Sequence, residues 1–355
     1  MSMFVLLVLV AALVLMAGVA IFNAIVDPYG ILGTGRFPKT TTSEPGIKAD
    51  LIAKLHGPPQ LIVLGSSRAM HIDPSFLREQ TGLETFNAAV SVIGGAAETW
   101  TLTNYLHDRF PSSRPAYLWL VDVETFNPLP NDRSVAEDPR LARYLDQTTG
   151  DVDRARQWWN KIRSDAKSVL SWSAANDSLR ILRDDTEATN AEIAFRSQFQ
   201  ADGGRAPAAL DPTQRETRVR TTLRQYTDLY KNVYHSLDPQ AMAYVEQTLT
   251  AMNREGSAPL IVLSPISPLF RERLGPLGWQ GRHEEVLAFF DRLSESHQFT
   301  FVDMTSIESF GGAPSGFEDG VHMLPANVQR LLVVVLREHG DALGLRAPGI
   351  TSQTD

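Results

Sequence analysis

The sequence contains no cysteine, and this absence excludes several kinds of chemistry. Without thiols the chain has no disulfide bonds, no thiolate metal ligands and no cysteine nucleophile. The absence leaves the cellular compartment open, because proteins of oxidising compartments can also lack disulfides. Histidine spacings typical of zinc sites, such as His-Glu-x-x-His, are missing as well. We therefore expect neither a metal site nor another cofactor.

Positive charge is also scarce. The chain has 33 Lys and Arg residues against 41 Asp and Glu residues, which gives a net charge of −8. Proteins that bind nucleic acids need clustered Lys and Arg to contact phosphates, and no such cluster occurs, so we exclude nucleic acid as a partner. With 43% hydrophobic and 21% charged residues, the 355-residue chain has the composition of a globular protein of one or two domains.

Charge is missing altogether from residues 3–22, which are mostly Leu, Val and Ala. This run is long enough to cross the hydrocarbon core of a bilayer. A cleaved signal peptide usually has a basic start and a shorter apolar core, although residues 18–20 could be cut, and a buried soluble helix is a third reading. We predict a transmembrane anchor over residues 1–26. The basic residues Arg36 and Lys39 follow the run, so the positive-inside rule alone would point them to the cytoplasm.

The most informative stretch is an apolar run over residues 61–64 that stops at Gly65 and is followed by Ser66 and Ser67. A continuous apolar run is typical of a parallel strand that is covered on both faces. A glycine allows a tight turn, so a serine just after it would lie at the carboxyl end of the strand. Open α/β sheets bind their ligands at that edge.

Further strands are predicted at residues 84–90, 116–121, 259–263 and 299–302, and helical patterns separate them. Strands that alternate with helices indicate βα units and a mostly parallel sheet. Helix starts are marked by Asp73-Pro74 and Asp238-Pro239, and helix ends by Gly82 and Gly256.

The positions of the predicted strands divide the chain into segments. Residues 27–58 are rich in Gly and Pro and are predicted to be a linker, and residues 346–355 a disordered tail. The α/β domain is expected over residues 59–129 and 237–345. Residues 130–236 are polar and helical in pattern, and we interpret them as a helical insertion that forms a cap over the sheet edge.

A second candidate stretch lies some 250 residues after the first, where Asp319 and His322 precede a helical pattern. A serine hydroxyl is a poor nucleophile until a base accepts its proton, and a neutral imidazole suits that task near pH 7. A carboxylate can hold the imidazole in the required tautomer. Taken alone, an Asp-x-x-His sequence is equally typical of a helix N-cap beside a surface histidine. Together with the serines it predicts an activated nucleophile.

These residues resemble the SGNH (GDSL-type) hydrolase and acyltransferase family, whose first motif is Gly-x-Ser and whose last is Asp-x-x-His. The corresponding residues here are Gly65-Ser66-Ser67 and Asp319-Gly320-Val321-His322. Membrane-anchored members of this family that act in teichoic acid D-alanyl transfer and in alginate acetylation carry a similar Gly-Ser-Ser motif. The resemblance implies a flavodoxin-like, mostly parallel sheet of about five strands with helices on both faces. It also implies Ser67 as nucleophile, His322 as base and Asp319 as the orienting acid, with Ser66 as the alternative nucleophile.

The sequence departs from the family where an oxyanion hole is expected. The family has a glycine five residues after the asparagine of its second motif, but counting from Asn87 gives Val92, with Gly94 nearby. A backbone N–H of Val92 could still donate, because every non-proline residue has one. Val92 and Gly94 are therefore candidate oxyanion or substrate contacts.

The third strand ends in Asp122 and Glu124, where the family has Gly-x-Asn-Asp. A carboxylate that faced an oxyanion would repel it. Three arrangements stay open: Asn127 supplies the missing donor, the site has fewer donors, or the carboxylate contacts another group such as Arg68. Asp122, Asn127 and Arg68 are thus further candidates for the oxyanion or substrate site.

Other residues are weaker candidates. His71 could serve as the base in place of His322. Tyr226, Tyr230 and Tyr234 are spaced four residues apart and would form one face of a helix, either packed in the core or exposed for sugar stacking. Residues 158–159 are both Trp, one of which could meet the cap or the membrane. Residues 264–268, Ser-Pro-Ile-Ser-Pro, form either a substrate contact or a rigid turn.

The resemblance implies hydrolysis of acyl esters, or O-acyl transfer, on a cell-envelope or exported polysaccharide. It places the catalytic domain outside the bacterial cytoplasmic membrane and suggests an integral-membrane acyl donor as partner. A protein that keeps the fold without catalysis and binds glycan or assists polysaccharide assembly is the first alternative. A generic lipase or thioesterase with a broad apolar pocket is the second.

Overall fold

The computed structural model describes residues 3–28, 32, 36–37, 43–91, 93, 95–129, 133–136, 138–145, 172–183, 194–205 and 211–345. The chain forms two compact units. The first comprises Met1–Ile47 and Arg133–Gln198, and the second comprises Lys48–Asp132 and Phe199–Asp355. Of the predicted cap, residues 133–198 belong to the first unit and residues 199–236 to the second.

The second unit contains a five-stranded, all-parallel sheet, as the sequence predicts. Its strands are β1 (Leu61–Gly65), β2 (Thr85–Asn87), β3 (Ala116–Val121), β4 (Leu260–Leu263) and β5 (Thr300–Asp303). They are arranged in the order β2-β1-β3-β4-β5 and every neighbouring pair is parallel. This is one of the two common orders of doubly wound α/β sheets, and its ligand crevice lies at the carboxyl ends of β1 and β3, where the order reverses.

The described helices follow the predicted alternation with the strands. They are α1 (Met3–Val26), α2 (Glu44–Lys54), α3 (Pro74–Thr81), α4 (Ala96–Arg109), α5 (Arg133–Ala136), α6 (Pro139–Leu145), α7 (Trp172–Leu182), α8 (Pro212–Asn232), α9 (Pro239–Arg254), α10 (Pro268–Leu274), α11 (Trp279–Ser294) and α12 (Pro325–His339).

The capping signals in the sequence place the helix ends correctly. Asp73 caps α3 by accepting a hydrogen bond from the backbone N–H of Ser75, and Gly82 ends that helix. Asp238 caps α9 in the same way through Ala241. β2 is shorter than the predicted 84–90 and ends at Asn87, whose side-chain oxygen accepts the N–H of Ala89. The N–H groups of Ala88 and Val90 still donate to the carbonyls of Val63 and Gly65 on β1, so the chain stays beside that strand.

Apolar side chains hold the sheet between its helices. The residues of β1 and β3 are almost wholly buried, as expected for central strands covered on both faces. On one face, alternate strand residues and the inner side of α12 form a single cluster, which includes Leu61, Val63, Leu118, Leu120, Leu331 and Val335. Elsewhere α4, which contacts β1, packs against α9. The sheet is thereby a rigid base for the loops at its carboxyl edge.

In the first unit α1 packs against α7, and the Ser178 hydroxyl donates a hydrogen bond to the Asn23 side chain (3.1 Å). Across the described residues, no helix combines the length and the apolar character needed to span a membrane. The anchor over residues 1–26 stays a prediction. The predicted tail at 346–355 and the tryptophans at 158–159 lie outside the described residues.

Candidate active site

The turn after β1 brings one serine to the surface and buries its neighbours. Gly65 has a φ of 139°, and a Cβ atom there would lie 2.4 Å from the carbonyl oxygen of Leu120 on β3. No other residue fits this position without a backbone shift. Ser66 and Arg68 are each only 2% exposed, whereas Ser67 between them is partly exposed. The local backbone therefore presents Ser67 alone.

The structure distinguishes the two candidate nucleophiles by their hydrogen bonds. The hydroxyl of Ser66 donates to the carboxylate of Asp122 and is enclosed in the core. The hydroxyl of Ser67 lies 2.7 Å from Nε2 of His322. Ser67 is thus the serine that meets a base, in agreement with the Gly-x-Ser count.

A tight hairpin over residues 316–324 carries the acid and the base. Phe317 and Met323 pair as an antiparallel bridge, and the backbone N–H of Glu318 donates to the carbonyl of His322 (2.8 Å). Gly320 at the tip has a φ of 100°, and a Cβ there would lie 2.1 Å from the ring of Phe270. The hairpin therefore packs closely against Phe270 of α10, and this contact fixes the position of its side chains.

Asp319 is held as a buried carboxylate by four hydrogen-bond donors. Its Oδ1 accepts the backbone N–H groups of Val321 (3.2 Å) and His322 (3.0 Å). Its Oδ2 lies 2.7 Å from Nδ1 of His322 and 3.3 Å from the hydroxyl of Thr222. Burial opposes ionisation, but the hydrogen bonds from the His322 side chain and from the two backbone groups lower the pKa of Asp319 to about 2.

The ionised Asp319 settles which ring nitrogen of His322 acts as the base. A carboxylate only accepts hydrogen bonds, so Nδ1 of His322 carries the proton. In the neutral ring Nε2 is then the acceptor, and it faces the hydroxyl of Ser67. Ser67, His322 and Asp319 form one continuous chain of hydrogen bonds, which is the arrangement of an activated serine.

A pocket of about 350 Å³ opens beside this chain. One wall contains Ser67, Ser91, Ile93, Asp319 and His322. Helix α8 contributes the other lining residues, which are mostly polar: Thr217, Arg218, Thr221, Thr222, Gln225 and Tyr226. From the sequence, α8 is predicted only as part of the cap, and these threonines and the glutamine are not among the predicted site residues. The four-residue spacing of Thr217, Thr221 and Gln225 is the signal that could have pointed to α8.

Comparisons with known proteins add no family to this geometry. A scan against protein-family models finds no match, and a search of curated proteins finds no significant one. Within the part of the chain that the structure describes, no cluster of three His, Asp or Glu side chains could hold a metal ion. Function is accordingly inferred from the site itself.

Of four predicted oxyanion or substrate residues, two are not described by the structure and stay predictions, and two make contacts other than the predicted ones. Val92 and Gly94 lie outside the described residues. Asn127 is 1% exposed, and its amide donates to the carbonyls of Glu124 (2.6 Å) and Ile93 (3.3 Å). Asn127 therefore fastens the chain after β3 and directs no donor at Ser67. Asp122, the fourth, is turned into the core.

The carboxylates after β3 neutralise Arg68, which was one of the three arrangements left open. Arg68 Nη2 donates to Glu124 (2.6 Å), Nη1 donates to the hydroxyl of Ser264 (3.1 Å), and Nε lies 3.6 Å from Asp122. Asp122 also accepts hydrogen bonds from the hydroxyls of Ser66 and Ser264. Burial opposes the charge on Arg68, yet both carboxylates raise its pKa well above the usual value. Arg68 and Asp122 are thus core residues that support the nucleophile turn.

The three tyrosines spaced four residues apart belong to the buried network around Arg68. Tyr226, Tyr230 and Tyr234 are each at most 5% exposed, so the core-packing alternative is the one realised. The hydroxyl of Tyr226 accepts a hydrogen bond from Arg68 (3.4 Å), and Tyr230 donates to Glu124 (2.7 Å). Tyr226 also lines the pocket beside Ser67, so the network and the pocket share a residue.

His71, the alternative base, lies next to His322. Its ring meets that of His322 edge-on with the centroids 6.1 Å apart, and its Nδ1 is buried without a hydrogen-bond partner. Burial, together with the positive charges of His322 and Arg205, lowers the pKa of His71 to about 4. Its ring is neutral at pH 7, and His322 is the histidine that contacts Ser67.

We expect the buried, neutral ring of His71 to make the free energy of unfolding depend on pH in the acidic range. A histidine in an unfolded chain titrates near 6.5, whereas the pKa of His71 in the folded protein is about 4. Between pH 6.5 and 4 the unfolded state therefore binds a proton at this residue that the folded state does not bind. Stability is therefore lost as the pH falls through that window, by about 2 kcal/mol at pH 4.5. His71→Gln should remove this loss in urea unfolding at pH 7 and pH 4.5. The exposed His56→Gln is the matched control, and an unchanged pH dependence in His71→Gln would contradict the prediction.

Proposed function

We propose that this protein is a serine esterase or O-acyltransferase that forms an acyl-enzyme on Ser67. The observation that carries the proposal is the unbroken chain of hydrogen bonds from Ser67 through His322 to Asp319, with both steps 2.7 Å long. These hydrogen bonds border an open pocket at the carboxyl edge of the sheet, where a substrate can reach the hydroxyl of Ser67.

The reaction follows from the positions of the protons. The oxygen of Ser67 attacks the acyl carbonyl while its proton passes to Nε2 of His322, and Asp319 stabilises the resulting imidazolium. His322 then gives that proton to the leaving alkoxide as the ester bond breaks. In the second half, a water or a sugar hydroxyl gives a proton to His322 and attacks the acyl-enzyme, and the proton returns to Ser67.

The polarity of the pocket favours a hydroxyl-rich substrate over a long acyl chain. Thr217, Thr221 and Gln225 are exposed residues of α8 that line the same pocket as Ser67, and they offer hydroxyl and amide groups. A lipase would instead need a broad apolar wall. Together with the SGNH resemblance, this supports an acyl ester of a cell-envelope or exported polysaccharide, handled outside the membrane by an anchored protein. An integral-membrane acyl donor would then be the partner.

A serine-directed fluorophosphonate tests the proposal. The full chain is incubated with the probe, and intact masses are compared for the wild type, Ser67→Ala and His322→Ala. We expect one adduct on the wild type, located at Ser67, and none on either variant. Ser294→Ala removes an exposed serine at the end of α11 and should label like the wild type.

A folded wild type that stays unlabelled would remove the catalytic proposal. One observation favours the rival in that case, since the predicted side chains after β3 direct no donor at the site. The protein would then be a non-catalytic member of the fold that binds glycan. Polysaccharide binding with full cellular function in Ser67→Ala would support that reading.

A further inference from the structure

Helix α8 carries four residues at four-residue spacing, which contact either the hairpin of Asp319 or the buried network behind the nucleophile turn. Arg218 forms an ion pair with Glu318, which precedes the catalytic acid. The members that follow are Thr222, whose hydroxyl lies 3.3 Å from Asp319, Tyr226, which is 3.4 Å from Arg68, and Tyr230, which is 2.7 Å from Glu124. We call these four the α8 stripe.

Thr222 holds a special position in the stripe because it contacts the catalytic acid directly. Oδ2 of Asp319 accepts from Nδ1 of His322 and from Thr222, while Oδ1 is held by two backbone groups of the hairpin itself. Among the described residues, Thr222 is the donor to this carboxylate that comes from outside the hairpin. It therefore ties the plane of the carboxylate to the body of the protein.

Tyr226 reaches the other half of the site. Its ring lies beside the guanidinium of Arg68 at 5.9 Å, and its hydroxyl accepts from the same group. Arg68 directly follows the nucleophile Ser67 in the chain. One turn of α8 thus separates a contact to the acid hairpin from a contact to the nucleophile turn.

We infer that α8 is a positioning element of the catalytic centre, and that Thr222 is a positioning residue that acts through Asp319. The two halves of the site come from opposite ends of the chain, and the α8 stripe fixes both against one rigid helix. Thr222 sets the orientation of the Asp319 carboxylate, and hence of the His322 ring, without touching the substrate carbonyl. This inference depends on the proposed function.

Thr222→Val keeps the shape of the side chain and removes the donor. A hydrogen bond to a charged group is among the stronger ones, but a 3.3 Å contact is long, so we expect about a tenfold loss in the rate of fluorophosphonate labelling. In turnover of p-nitrophenyl acetate the loss should appear in kcat, with KM changed by less than about twofold. Thr222→Ser restores the hydroxyl and should recover most of the rate.

Three controls separate positioning from folding. Thr213→Val makes the same change at an exposed site at the start of α8 and should label at the wild-type rate. The ¹H NMR signal of the Nδ1 proton of His322 should shift in Thr222→Val and return in Thr222→Ser, which a purely structural role would not produce. If Thr222→Val does not fold, Thr222→Ala serves as the second variant.

The outcomes distinguish the two proposals. A Thr222→Val protein that labels as fast as a reactive wild type, with an unmoved Nδ1 signal, would overturn the role of α8 and leave the serine chemistry intact. An equal loss in Thr222→Ser would also overturn it, because the hydroxyl would then not matter. An unlabelled wild type would remove both proposals together.

Discussion

Ser67→Ala is expected to lower kcat for p-nitrophenyl acetate by about 10⁴-fold, because it removes the atom that carries the acyl group. His322→Ala should cost about as much, since the hydroxyl of Ser67 then loses the base at 2.7 Å. Stopped assays with purified full-length variants measure the loss. KM should change little, because neither group provides uniform binding of the ester.

The double variant gives the sharper result. Residues that act as one unit are not additive, so Ser67→Ala combined with His322→Ala should be no slower than either single variant. If Ser67 and His322 had independent roles, their separate losses of kcat would instead multiply in the double variant. Ser294→Ala should retain full kcat, and a Ser67→Ala protein that keeps more than about a tenth of the wild-type rate would contradict the assignment of the nucleophile.

Arg68→Met is expected to destabilise the fold by about 3–5 kcal/mol, the usual cost of removing one partner from a buried ion pair. Arg68 is 2% exposed, and its guanidinium is the charge that balances Glu124 at 2.6 Å and Asp122 at 3.6 Å. Methionine fills a similar volume but leaves both carboxylates without a cation. Urea unfolding at pH 7 measures the difference.

The origin of this loss can be tested with the carboxylates. Adding Asp122→Asn and Glu124→Gln to Arg68→Met removes the two buried charges, and we expect it to recover part of the lost stability. Arg78→Met, which breaks an exposed pair with Glu84 at 3.5 Å, should change stability by less than about 1 kcal/mol. Equal effects at Arg68 and Arg78 would show that the buried charges contribute nothing.

Much of the fold could be predicted because its signals are local. The apolar runs of β1, β3 and β4 appear directly in the sequence, and Asp73-Pro74 and Asp238-Pro239 mark helix starts by their own hydrogen bonds. The meeting of Ser67 with His322 was predictable for a related reason. A parallel strand places the residues that follow it at the ligand edge of the sheet, and of the two serines there Ser67 is the one that lines the pocket.

The environment of the site was not predictable, because it depends on contacts between distant segments. Whether Asp122 faces an oxyanion or Arg68 is decided by how β1, β3 and β4 lie side by side. The wall formed by α8 is a similar case. Its hydroxyl-bearing residues are ordinary surface residues of a helix until that helix is docked against the hairpin that carries Asp319.

The hydrogen bond between Ser67 and His322 joins residues that are 255 positions apart, and this separation has a consequence for protein synthesis. Domains begin to fold while they are still emerging from the ribosome. A nascent chain that has reached only the end of α11 holds the nucleophile but neither its base nor its acid. Under the proposed function, reactivity begins only when the hairpin over residues 316–324 has been made and folded, and an interrupted translation product would not react with esters.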